Sequence, residues 1–384
     1  KRAQEGVVTF NYIQGEYFFT DDEKTELPDA QLDAAIEQLL KKKQDGSMPA
    51  AEADRKLIQA YMMRSFKKVN KKLWAEAIAD WQSVLALEPG NRRAKNNLMH
   101  SLVSLGLSYA THHLYDEAVD VWTQAIEMNP DNLALVHNLA LAHEFAGNMR
   151  EASRYWTETI RRWKAQLQRE PDNEYLKNCL IEALRSHGEG ALESEEPAGD
   201  GSGAKPATRA ARSIEDFREI VRLNPDDFEA HYQIASLLMK DQKWGEAIET
   251  LNEMRRKWPR SVEVLNLLGW AMLNGGQVDD AFTIWRKART IEPKNHQITE
   301  SLIKAHMSMG RTMREKGLFT PCLVHFKALL RYLPDDSDVL FEIAETYRMK
   351  GDERSAAAEY QKVLKLDPKH RGARVGLSQL KLRR

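Results

Sequence analysis

Apolar residues recur at positions i, i+3, i+4 and i+7 through nearly the whole of the 384-residue chain. This spacing places them on one face of an α-helix, and glycine (20) and proline (13) are too sparse to interrupt it often. The pattern therefore predicts an all-α protein. Several apolar stripes end at a proline, which cannot continue a helix. These prolines are Pro89, Pro130, Pro225, Pro293, Pro334 and Pro368.

A second regularity precedes these prolines. A small residue stands twelve residues before each one, and a bulky residue stands eight residues before it. The small residue lets two helices approach closely, and the bulky residue one turn later fills the space beside it. With a further copy before Pro259, the pairs are Ala77/Trp81, Ala118/Trp122, Ser213/Phe217, Ala247/Leu251, Ala281/Trp285, Cys322/Phe326 and Ala356/Tyr360.

Another short motif lies upstream of some of these pairs, as LGLSY at Leu105–Tyr109, LGWAM at Leu268–Met272 and IAETY at Ile343–Tyr347. Together with the small-x3-bulky pair and the terminal proline, it resembles the tetratricopeptide repeat, in which a helix A and a helix B form a hairpin of 34 residues. Residues 262–293 match the repeat best. The resemblance implies an all-α fold, a right-handed α-solenoid of about eight helix-turn-helix repeats with helical caps.

The intervals between the prolines predict where the array is regular. Three successive prolines from Pro225 to Pro293 lie 34 residues apart, and other intervals are 41. Seven extra residues make two helical turns, so the helices at 91–110, 152–169 and 296–315 should extend about 10 Å beyond their neighbours. Glycines fall where a left-handed residue would end helix A, namely at Gly147, Gly276, Gly317 and Gly351.

The interval from Pro171 to Pro225 is 54 residues, which exceeds the repeat length by twenty. Helix A of this repeat is predicted to end at His187, so the surplus forms a flexible insertion at about residues 188–207. The overlapping stretch ESEEPAGDGSGAKPATRA, residues 193–210, has no large apolar side chain. A phosphate-binding loop is disfavoured, because the order of glycine and Lys205 does not match that motif and no strand precedes it.

The two ends of the chain differ from the array. Residues 1–27 include VVTFNYIQGEYFF and are interpreted as an extended aromatic arm, packed on the array or offered to a partner, or as the remnant of a missing domain. Residues 28–55 are predicted to be N-terminal capping helices, 56–368 the array, and 369–384 a C-terminal capping helix. The sequence begins at Lys1 rather than methionine, which leaves a targeting segment or further domain upstream open.

Charge and cysteine content narrow the choice of partners. Lys+Arg (56) and Asp+Glu (57) nearly cancel, and the net charge of −1 argues against nucleic acid and anionic membrane. No apolar run reaches about 18 residues, so no membrane insertion is expected. The two cysteines, Cys179 and Cys322, lie far apart in the sequence, which argues against a disulfide framework and predicts a reducing compartment such as the cytoplasm.

No arrangement of catalytic or metal-binding residues stands out. His112 and His113 are adjacent and His137 and His143 are six apart, whereas helical metal ligands are three or four residues apart. The two cysteines are interpreted as small buried hydrophobes. We expect no metal, no cofactor and no enzymatic activity. Four tryptophans occupy the bulky position of their repeats and should lie in the core: Trp81, Trp122, Trp156 and Trp285.

The resemblance implies a binding surface. In tetratricopeptide repeat proteins the helices A line the concave side of the superhelix, where peptide partners lie. The corresponding positions here are mostly apolar in the first half and polar in the second, which suits an amphipathic or partly charged segment. The predicted groove residues are Met62, Phe66, His100, Val103, Leu107, His137, Asn138, Leu141, Tyr232, Ser236, Asn266, Trp270 and Arg311.

The predicted function is a non-enzymatic scaffold or adaptor that binds a partner protein or peptide. Two alternatives stay open: a permanent docking subunit of a larger multiprotein complex, and a regulatory array controlling an enzyme or chaperone domain outside this chain. Asn138 and Asn266 each match one position of the clamp with which some family members bind the C-terminal carboxylates of heat-shock chaperones. The accompanying Lys/Asn and Lys/Arg pairs are missing, so this clamp is not expected.

Overall fold

A computed structural model describes residues 27–193 and 209–382. Within these ranges the chain forms eighteen α-helices and no β-strand. The helices divide into two compact units, one ending at Pro225 and the other beginning at Asp226. Each unit is a series of helical hairpins in which every helix packs mainly on its neighbours in the sequence.

The first unit contains a capping helix followed by four hairpins among its described residues. In the first three hairpins the connection between the two helices is short, which makes them antiparallel, whereas residues 194–208 separate the two helices of the fourth. The helices are α1 (Asp29–Gln44), α2 (Ala50–Asn70), α3 (Trp74–Leu87), α4 (Arg92–Thr111), α5 (Tyr115–Met128), α6 (Leu133–Phe145), α7 (Met149–Arg169), α8 (Glu174–Glu193) and α9 (Arg209–Leu223).

The second unit contains four further hairpins and a terminal helix among its described residues. With the four hairpins of the first unit, these make eight repeats and confirm the predicted all-α repeat architecture. The helices are α10 (Phe228–Lys240), α11 (Trp244–Lys257), α12 (Val262–Asn274), α13 (Val278–Ile291), α14 (His296–Glu315), α15 (Phe319–Leu329), α16 (Ser337–Lys350), α17 (Glu353–Leu366) and α18 (Arg371–Leu382).

Helix lengths follow the proline intervals. Helices α4, α7 and α14 have 20, 21 and 20 residues, whereas α6, α10 and α12 have 13 each. Helix α2 begins at Ala50, ahead of the predicted start of the array at residue 56. Helix α8 continues to Glu193 rather than ending at His187. The rest of the predicted insertion, 194–208, and residues 1–26 of the predicted arm lie outside the described residues.

The small and bulky pairs form the centre of each hairpin. Ala118 and Trp122 of the second repeat are both fully buried, as are Ala281 and Trp285 of the sixth. The ring of helix B packs directly on a glycine of helix A: a Cβ added to Gly269 would lie 2.4 Å from Trp285 Cε2. Glycine is therefore required at position 269 by the ring that faces it, because any side chain would occupy the same space.

Left-handed residues end the helices A. Gly147, Gly276, Gly317 and Gly351 have φ angles of 81°, 87°, 72° and 84°, as predicted. The corresponding positions after α2, α4 and α10 are not glycine. Lys72, His113 and Gln242 adopt φ angles of 59°, 61° and 58° there, a conformation that costs about 1–2 kcal/mol for such residues.

A polar residue that stands two residues after a proline begins each helix A from α4 onward. In α14, for example, Pro293 is followed two residues later by Asn295, whose side chain accepts a hydrogen bond from the Ile298 N–H at 3.1 Å. The side-chain oxygen thus satisfies a backbone donor that the helix itself leaves unpaired. The same proline-x-polar order occurs at Asn91, Asn132, Asn173, Asp227, Ser261, Asp336 and His370.

Candidate partner-binding face

Six of the predicted groove residues are buried and do not face a groove. Asn266 is 6% exposed, and its Oδ1 accepts a hydrogen bond from Trp285 Nε1 at 2.9 Å. His137 is fully buried, with the edge of its ring 90° to Trp156 at 5.1 Å between centroids. Both asparagines that match the chaperone clamp are therefore internal. The six buried residues are Met62, Val103, His137, Asn138, Leu141 and Asn266.

The other seven predicted groove residues are partly or fully exposed. Phe66, His100 and Leu107 lie on helices A of the first unit, and the other four lie on helices A of the second. In the second unit, Trp270 Nε1 of α12 donates to Ser301 Oγ of α14 at 3.1 Å. This contact joins adjacent helices A directly. The second-unit members are Tyr232, Ser236, Trp270 and Arg311.

A recess of about 400 Å³ lies along α14 beside these residues. Lys304, Ser308 and Arg311 form an exposed stripe on the helix. Apolar atoms between the charged groups come from Ile303 and Met307, which are partly buried against the core of the last repeats. We call the surface formed by Trp270 and the residues of this recess the helix-A face; the recess is lined by Ile303, Lys304, Met307, Ser308, Arg311 and Thr312.

Ion pairs hold the charged groups of the helix-A face in place. Arg311 Nη2 lies 3.2 Å from Glu342 Oε1 of α16, and Arg314 also binds Glu342. Lys304 Nζ is 2.7 Å from Glu300 Oε1, and this lysine holds the pKa of Glu300 below its ordinary value. The predicted groove pattern identified Arg311. It did not include Ile303, Met307, Ser308 and Thr312, because repeat positions alone do not show which other side chains of the helix line a recess.

A second recess, of about 410 Å³, lies between α16 and α18. Burial raises the pKa of Glu345 there, but hydrogen bonds from Arg348 and from the Tyr360 hydroxyl outweigh burial and leave the pKa below its ordinary value. The Arg348 Nη2 to Glu345 Oε2 distance is 2.6 Å. We call this recess the C-terminal groove; it is lined by Phe341, Glu345, Arg348, Arg371, Gly372, Val375, Gly376 and Gln379.

Ser153, His187 and Asp216 of the first unit contact one another in the serine–histidine–aspartate sequence of a catalytic triad. Their spacing in the amino-acid sequence did not indicate this contact. His187 Nδ1 lies 2.8 Å from Asp216 Oδ2, and His187 Nε2 lies 3.5 Å from Ser153 Oγ and 3.5 Å from Thr157 Oγ1. Ser153 is inside helix α7, where backbone N–H groups bond within the helix and provide no oxyanion site. The geometry is that of a polar cross-link between α7, α8 and α9.

Residues 27–193 and 209–382 contain no metal-binding cluster, no exposed cysteine thiol and no helix suited to crossing a membrane. No cluster of three or more His, Cys, Asp or Glu side chains there is arranged to hold a metal ion. Cys179 and Cys322 are buried free thiols, and burial raises the pKa of each. In the same ranges, no helix combines the length and the hydropathy needed to cross a bilayer.

Several solved structures are similar to this chain. A tetratricopeptide repeat protein from Parabacteroides merdae is 13% identical, with 85% of this chain and 99% of that chain covered and a TM-score of 0.33. The C-terminal part of a repeat-containing protein from Cytophaga hutchinsonii is 15% identical, covering 71% and 98%, with a TM-score of 0.44. PilF of Pseudomonas aeruginosa is 13% identical, covering 64% and 97%, with a TM-score of 0.34. No curated protein matches the chain.

Family models identify the repeats directly. A model described as tetratricopeptide repeat matches residues 207–259 and 232–296, and a second with the same description matches 338–370. The matched residues lie in helical hairpins with the glycine, alanine and aromatic contacts described above. Proteins built from this repeat generally act as scaffolds for interactions with other proteins. The family models therefore show tetratricopeptide repeats at residues 207–296 and 338–370, and the other helical hairpins among the described residues repeat the same helix-turn-helix arrangement.

Proposed function

We propose that this protein is a non-enzymatic scaffold that binds a partner protein or peptide on the helix-A face of its second unit. The observation that carries the proposal is the recess along α14, where exposed cationic groups border an apolar strip. The buried free thiols Cys179 and Cys322 support a reducing compartment, and we propose the cytoplasm.

The composition of this face defines the segment that it would accept. Ile303 and Met307 offer apolar contact, and methionine adapts its shape to different partner side chains. Lys304 and Arg311 lie one on each side of Ser308, whose small side chain leaves room for a partner backbone. An amphipathic segment with apolar and acidic side chains satisfies both features.

Two double variants test the proposal. Lys304→Glu with Ser308→Trp reverses a charge and fills the recess, and both positions are exposed, so the fold should be retained. The matched control is Thr283→Trp with Lys287→Glu, which places the same changes at the same spacing on the exposed side of α13, a helix B. Circular dichroism and thermal unfolding check that both variants are folded.

Affinity purification of the full chain from its own cells, with quantitative mass spectrometry, gives the readout. We expect the amount of each captured partner protein to be at least about tenfold lower with the α14 variant than with the unmodified chain. The amount captured by the α13 control should be unchanged. Equal capture by all three chains would show that the helix-A face is not the binding surface. A high-salt wash separates a permanent subunit, which stays bound, from a peptide adaptor.

A further inference from the structure

The floor of the C-terminal groove is made of glycine backbone and aromatic rings. A Cβ added to Gly372 would lie 2.6 Å from Phe341 Cζ, and one added to Gly376 would lie 2.4 Å from Tyr360 Cζ. Helix α18 therefore lies against both rings at a distance that only glycine permits. The Phe341 ring also packs on His370, with 4.7 Å between centroids, so it is fixed from two sides. The result is a rigid, apolar floor.

The wall formed by α18 is exposed. Arg371, Val375 and Gln379 are spaced four residues apart and form one stripe along the helix. Val375 is 53% exposed, so its side chain is accessible to a partner from the groove. The stripe spans roughly 12 Å, enough for three or four residues of an extended peptide.

The charge of this groove is positive. Glu345 is neutralised by Arg348 and accepts a hydrogen bond from the Tyr360 hydroxyl. Arg371 forms no ion pair within the described part of the chain. Residues 369–384 contain no aspartate or glutamate, although the whole chain has a net charge of −1. Of the cationic residues in this segment, Arg371 lines the groove.

We propose that the C-terminal groove docks a short acidic segment of a partner protein that carries one large apolar side chain. The apolar side chain would lie over Val375 and the edge of Phe341, and an acidic residue would pair with Arg371. The inference rests on the proposed scaffold function and adds a second binding position with defined partner chemistry. Charge complementarity with Arg371 favours an acidic segment. The exposed Val375 beside an apolar floor favours a large apolar side chain, which would cover both.

A display library of random twelve-residue peptides, selected on the full chain, tests the proposal. We expect selected peptides to combine Leu, Phe or Trp with two or more acidic residues and to bind less tightly as salt increases. Arg371→Glu with Val375→Glu should weaken their binding, measured by fluorescence anisotropy, at least about tenfold. Arg371→Gln alone removes only the charge, disturbs the helix least, and should abolish the preference for acidic sequences.

The matched control is Arg354→Glu with Ala358→Glu, which makes the same charge changes four residues apart on the exposed side of α17. It should leave the affinity unchanged. Selection of no peptides, of peptides without acidic residues, or of peptides that bind the α18 variant normally would overturn the proposal. Peptides that are lost only with Lys304→Glu/Ser308→Trp would retain the helix-A face and refute this groove. The reverse pattern would support the groove, and the helix-A face would then stand or fall on the capture experiment above.

Discussion

The Oδ1 atom of Asn266 accepts the indole N–H of Trp285 at 2.9 Å inside the sixth repeat. Trp285 is fully buried, so its N–H depends on this single residue of helix A for a partner. In other repeats the indole N–H of the buried tryptophan has a different kind of acceptor. Trp81 donates to Ser101 at 3.1 Å, Trp122 to the Val103 carbonyl at 3.2 Å, and Trp156 to Glu144 at 2.9 Å.

We expect Asn266→Leu to lower the free energy of unfolding by about 1–3 kcal/mol, because it leaves the Trp285 N–H buried without an acceptor. Urea unfolding followed by circular dichroism measures the change. In the double variant Asn266→Leu/Trp285→Phe, donor and acceptor are both absent, so the combined cost should be smaller than the sum of the single costs by about 1 kcal/mol. Strict additivity would show that the hydrogen bond contributes nothing.

Two glycines of the second unit should respond oppositely to alanine. Gly269→Ala places a methyl group against the Trp285 ring and should cost about 1–3 kcal/mol of stability. In Gly245→Ala of α11 the added Cβ has no atom within 4 Å, so this variant should be neutral or stabilised by about 0.5 kcal/mol. Thermal unfolding of the two variants gives the comparison. A Gly269→Ala chain as stable as the unmodified one would mean that the helices can separate without loss.

Gln242 occupies a left-handed position where four other repeats have glycine. Gln242→Gly should raise the free energy of unfolding by about 0.5–1 kcal/mol, since relief of the left-handed strain exceeds the added entropy of the unfolded chain. Asp241→Gly is the matched control, because Asp241 has a φ of −78° and gains nothing from glycine. That variant should lose about 0.5–1 kcal/mol. If both variants lose stability, the strain at Gln242 is negligible.

A partly buried histidine pair in the second unit is expected to make its stability depend on pH. His306 Nδ1 and His325 Nδ1 lie 3.0 Å apart, and Phe282 stacks on His306. Burial, the neighbouring His325 and Arg331 lower the pKa of His306 from 6.5 to about 4, and burial also lowers the pKa of His325. Asp279 opposes the shift at His325 but does not reverse it.

The sign of the pH effect follows from these shifts. As the pH falls from 6.5 towards 4, the unfolded chain binds protons that the folded chain does not, so folding stability decreases over that window. The decrease from His306 should be of the order of 2–3 kcal/mol. His306→Phe, which keeps a ring against Phe282, should flatten the profile in urea unfolding measured at several pH values. A profile identical to that of the unmodified chain would assign the acid sensitivity elsewhere.

The repeat core was predictable because each contact in it is encoded by type and spacing. Ala281 and Trp285 lie where the pattern placed them, and Gly276 is left-handed as expected. The binding residues were less predictable, because repeat position does not reveal what covers a side chain. His137 is covered by Trp156, and Asn266 is used by Trp285. The cluster of Ser153, His187 and Asp216 joins three helices, and no local pattern could bring these residues together.

The proline-x-polar junctions have a consequence for how the chain folds during synthesis. Because each helix A from α4 onward carries its own first hydrogen-bond acceptor, as Asn295 does for Ile298, it can start without residues made later. Its partner helix B follows within the same hairpin, so most contacts close over short sequence distances. Folding can then proceed from the N-terminus one hairpin at a time, and only the newest hairpin exposes its apolar side to the cell.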